Sequence, residues 1–158
     1  MTKEMKQEFT LRITNANKSE TIVILCDMLL AYTEDAKNAF TGGEGKAAFG
    51  EAIRKARACL SELLNSLNRN YEIAGHIYEL YRYTERQLIA AQVKQSIEPL
   101  SEVEKVISRL NASYREVARM DSSPALMGNT ETVYAGMTYG RNQITESSNA
   151  PSNRGFFV

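Results

Sequence analysis

Little in this 158-residue chain could move a proton or attack an electrophile: it holds one imidazole, His76, and two thiols, Cys26 and Cys59. A carboxylate-bridged di-iron site in a helical bundle needs Glu-x-x-His motifs facing inward. Ile73 stands where that Glu would be, so this chemistry is excluded. A histidine phosphotransfer domain carries a Lys and a Gly shortly after its phosphoryl acceptor, whereas His76 is followed by "IYELYR". That reading stays open only as an alternative. Neither thiol has a base beyond the same His76 to activate it. Both fall on apolar stripes, where a thiol behaves as a small hydrophobe, so buried free cysteines are expected rather than a disulfide. "GGEGK", residues 42–46, resembles part of a phosphate-binding loop, but it lacks the preceding apolar strand and the Ser or Thr after the Lys. It reads as a connection between helices. No cofactor and no catalytic residue is implied.

The elements that would position any site follow from the global balance and the periodicity. With 43% apolar and 24% charged residues, the chain has the composition of one globular domain. Lys plus Arg and Asp plus Glu number 19 each, leaving no basic excess to draw it to nucleic acid or anionic lipid. "MTKEMKQEFT" lacks the apolar run of a signal peptide, so a cytoplasmic protein is expected.

Four helices are predicted. The first starts at Asn17, an N-cap with Glu20 three residues on to complete a capping box, and ends near Phe40 before the glycines of "TGGEG". The second runs from about Lys46 to Leu67, with Phe49, Ile53, Ala56, Leu60, Leu63 and Leu67 on one stripe. The third, from about Tyr71 to Gln95, carries Ile73, Ile77, Leu80, Tyr81, Leu88 and Ala91 inward, and Pro99 closes that stretch. The fourth has Ser101 as its candidate N-cap and Glu104 three later, with a stripe of Leu100, Val103, Val106, Ile107, Leu110, Tyr114 and Val117. The fold expected is all-α: an antiparallel four-helix bundle over 17–120, a short N-terminal arm over 1–16 and a non-periodic polar tail over 121–158.

One stretch does not fit a simple amphipathic helix. "ETIVILCDMLL", Glu20 to Leu30, is apolar nearly all round yet far too short to span a membrane, so no membrane insertion is expected. Turning about 100° per residue from Ile22 places Leu25, Cys26, Leu29, Thr33, Ala36 and Phe40 on the core stripe. Ile24 falls outside it at about 200°, Met28 flanks it at about 240°, and Ala31 lies near the opposite pole. The third helix repeats the excess with Tyr78, Ile89 and Val93. Aligned apolar residues off the core indicate a contact surface, either for a partner helix or for a second copy in a homodimer. Asp27, on the polar side, is a candidate for a charge-assisted hydrogen bond to a partner. The candidate partner surface is therefore Ile24, Asp27, Met28, Tyr78, Ile89 and Val93.

"NANKSETIVILCDMLLAYTEDAKNAF" resembles the start of the flagellar secretion chaperone family FliS, with Asn17 at the capping Ser and Glu20, Leu25 and Asp27 at family positions; Cys26 replaces a Tyr. "AIRKARACLSELLNSLN" is similar to the family's second helix, and "EIAGHIYELYRYTERQLIAAQ" to its third through Ile73, Ala74, Leu80, Tyr81, Tyr83, Leu88 and Ala91. "SEVEKVISRLNASYREV" also fits, with Tyr114 where Trp is common. The likeness runs from Ile13 to Val117. The family's Pro-Tyr pair near the N-terminus is missing, and Phe9 sits one residue out of register with a second Tyr. The resemblance implies a cytoplasmic export chaperone that binds the C-terminal segment of flagellin, prevents premature polymerisation and helps deliver it to the export apparatus. An export-gate protein or a co-chaperone would be a further partner.

The tail has no counterpart in that resemblance. Its spaced apolar groups suggest that Val133 to Tyr139, or Phe156 and Phe157, can lie on the exposed apolar surface of the bundle, in the same chain or a neighbouring one, where they would compete with flagellin.

Overall fold

Asn17 opens the first long helix with both halves of a capping box. Its Oδ1 accepts from the Glu20 N–H at 2.9 Å, and the Glu20 carboxylate accepts from the Asn17 N–H at 3.0 Å. The computed structural model describes residues 1–127. Within them the helices are α1 (Lys3–Asn15), α2 (Lys18–Thr41), α3 (Lys46–Ser66), α4 (Ile73–Lys94) and α5 (Leu100–Met120). The expectations for 133–139 and for Phe156 and Phe157 lie outside the described residues.

The turns follow from backbone chemistry. After α2, Gly43 takes φ +72° and Gly45 φ +95°, the left-handed region that side chains disfavour, and the Glu44 N–H closes on the Ala39 carbonyl. α4 ends at Gln95, which adopts φ 50° without being glycine, and Ser96 N–H returns to the Ala91 carbonyl. Pro99, expected only as a terminator, instead leads α5: its fixed φ and missing N–H suit a helix start. Ser101 is consequently not the N-cap. It lies inside the first turn, donating to the Glu98 carbonyl, and Glu104 pairs with Lys37 of α2.

α2 and α4 lie diagonally, each packed on α3 and α5, so α2 to α5 close a four-membered bundle. Its core centres on Phe49, Tyr81, Leu29, Ile53, Leu63 and Ile107, all at most 1% exposed. The Tyr81 hydroxyl meets that of Tyr114 at 2.6 Å, which satisfies a buried phenol. Thr33 and Thr84, wholly buried, donate to the carbonyls of Leu29 and Leu80 one turn earlier. Cys26 and Cys59 are buried free thiols. Four expected core positions are exposed instead: Phe40, Ile73, Leu80 and Val117. Three lie in the terminal turn of a helix or within four residues of its end, and Leu80 is exposed beside buried Tyr81.

The arm is the main departure. Residues 3–15 form a helix, capped by Thr2 accepting from the Met5 N–H. It lies along the outside of α2.

Candidate partner-binding surface

The apolar surplus of α2 is explained by three neighbours. α3 and α5 bury Cys26, Leu29 and Ala36 in the main core, while α1 covers the remaining side. There Phe9, Ala16 and Ile24 form a second, smaller core, flanked by Met1, Ile13, Met28 and Ala31. A helix apolar all round must be covered all round. Ile24 is therefore not exposed as the wheel implied: it is 3% exposed, because α1 sits on it. The signal for this cover was in the sequence. Met1, Met5, Phe9 and Ile13 recur every four residues, the spacing of a single helical stripe, and only the absence of a long periodic run made the segment look like an arm.

Asp27 has an internal role in this arrangement. Its carboxylate accepts from Arg12 of α1 at 2.6 Å and from Arg115 and Asn111 of α5 at 2.6 and 2.7 Å. With its side chain 14% exposed, it ties three helices together rather than projecting to solvent. Arg12, Arg115 and Arg119 line a cleft of about 870 Å³ between α1, α2 and α5, with Leu11, Val23 and Ile24 among its apolar walls. Met28 is half-buried between the two cores.

The other three candidates lie elsewhere. Tyr78, Ile89 and Val93 fall on one outward row of α4, since Tyr78 and Ile89, eleven residues apart, differ by only about 20°. Val93 is 78% exposed and Ile89 38%, whereas Tyr78 is half-buried beneath the Arg69 guanidinium, 4.0 Å from its ring centroid. An Arg82–Glu85 ion pair divides the row. Because α4 is diagonal to α2, the six candidates form two surfaces rather than one patch. His76 is exposed on α4.

The candidate residues thus divide into an apolar strip covered by α1 and an open apolar row on α4. The family model for the flagellar protein FliS matches residues 1–121. The chain belongs to the FliS family. No curated protein matches it significantly. FliS is a family of flagellar chaperones. The match begins at residue 1 and so includes α1, which lies almost wholly ahead of the stretch from Ile13 to Val117 that carries the resemblance. Among the described residues, no helix is long and apolar enough to cross a membrane.

Proposed function

We propose that this FliS-family chain is a cytoplasmic export chaperone that binds the C-terminal segment of flagellin, keeps the subunit from polymerising early and assists its delivery to the export apparatus. The family assignment over residues 1–121 carries this reading. Two physical features support it. The strip around Ile24 and Met28 is a helix-shaped apolar site already holding an amphipathic helix, α1, so a client helix of the same character can use it once α1 swings aside. The row of Ile89 and Val93 on the far side suits a client that is disordered when free and can wrap a bundle while folding on it. Binding energy comes from apolar burial, at roughly 25 cal/mol per Å² before the cost of ordering the client.

Affinity capture from the cytoplasm of its own organism tests the reading. Full-length chain should retain unpolymerised flagellin, and a flagellin lacking its C-terminal segment should be lost from the capture. Retention that ignores this truncation would contradict the proposal.

A further inference from the structure

After α5 the chain doubles back over the junction of α1 and α2, which consists of only Ala16 and Asn17. The Leu126 N–H donates to the Ala16 carbonyl at 3.0 Å. Asn17 Nδ2 donates to the carbonyls of Asp121 and Ser123, each at 3.2 Å. The Asp121 carboxylate accepts from Ser19 Oγ at 2.5 Å and from the Ser123 N–H at 2.9 Å. Ala16 and Asn17 are 1% and 3% exposed, so a helix junction of the kind usually left in water is covered.

Asn17 joins the two systems. Its Oδ1 caps α2, while its Nδ2 donates twice to the returning segment. Asp or Ser would cap α2 about as well, but neither supplies two donors. The returning strap therefore gives a reason for asparagine in particular. α1 packs on α2 through a small core of its own, and as an intact helix it leaves Ile24 by pivoting at the two junction residues that the strap holds. Asp27 would keep Arg115 and Asn111 after Arg12 departed, so its carboxylate would not be stranded by that movement.

We propose that residues 121–126 are a latch. They clamp the α1–α2 hinge, so the C-terminal segment sets how readily α1 uncovers the apolar strip around Ile24. The inference rests on the strip being the client site, and it adds a control point more than 100 residues away in sequence from the hinge it holds. Hydrogen bonds from Ser123 and Ser19 hold the Asp121 carboxyl down at about 2, so the latch is charged across the physiological range.

Hydrogen exchange on the full chain, without client, tests the latch in two variants. Asn17→Ser keeps the α2 cap acceptor and removes the strap donors. Asp121→Ala leaves Asn17 untouched. Each should speed exchange of α1 amides by roughly three- to tenfold, the effect of losing about one net hydrogen bond, while α3 and α4 amides keep their protection. Unchanged α1 exchange in both variants would overturn the latch, as would a uniform rise across every helix. A second arm separates the latch from the functional reading. Faster α1 exchange with unaltered association of the flagellin C-terminal segment would uphold the latch and place the client site elsewhere.

Discussion

Asp27 and Ile24 show how a residue's role depends on what covers it. Read alone, Asp27 is a solvated carboxylate on the polar side of a helix; in the fold it accepts from two guanidiniums and a buried amide on α1 and α5. Asp27→Ala should lower stability by about 2–3 kcal/mol in urea unfolding, because Asn111, 5% exposed, loses its acceptor. Arg115→Ala should cost only about 0.5–1 kcal/mol, since that side chain is 54% exposed and water screens its pair. Ile24→Glu places a carboxylate beneath α1. Because Ile24 belongs to the smaller core, the expected outcome is release of α1 with the bundle intact. Circular dichroism should then show loss of about one helix's worth of signal, and the main melting transition should move by only a few degrees. Collapse of the whole transition would show that the two cores are one.

At the scale of elements, what was legible in the sequence followed the strength of the local signal. The Asn17–Glu20 box and the glycines after Thr41 act through a few neighbouring backbone groups, so their positions can be read without knowing the fold. Ser101 looked like an equally good cap, but Pro99 before it starts the helix earlier and turns Ser101 into an interior residue. α1 was missed because its stripe has few members and meets only one partner helix; its burial is a tertiary fact that a short periodicity cannot announce. The two-surface division of the candidate site was illegible for the same reason, since nothing local says that α2 and α4 are diagonal. Gln95 offers a direct check on the α4 terminus. Its left-handed φ of 50° is tolerated with a side-chain bond to the Gln92 carbonyl, and Gln95→Gly removes the backbone penalty. Thermal or urea unfolding should show a gain of about 0.5–1 kcal/mol.

For the whole molecule, a large main core carries one further helix on a smaller core of its own, the division that the proposed exchange of α1 for a client helix requires. The closure of the main core can be probed through its two buried thiols. Burial is the main cause that pushes Cys26 up to about 12 and Cys59 to about 11, so neither presents a thiolate near neutral pH. At pH 8 a disulfide reagent should react with both roughly 100-fold or more slowly than with a free cysteine, and promptly once urea unfolds the bundle. If client replaces α1 as proposed, both should stay protected, because Ile24 belongs to a cluster separate from that of Cys26 and Leu29. The central claim is that the chain binds flagellin's C-terminal segment by apolar burial on a preformed bundle. Calorimetric titration of full-length chain with the two terminal segments of its own flagellin, repeated at several temperatures, tests it most directly. The C-terminal segment should bind one to one with a negative heat-capacity change corresponding to about 1,000–3,000 Å² of burial, and the N-terminal segment much more weakly. Equal binding of the two segments, or no binding of either, would contradict it.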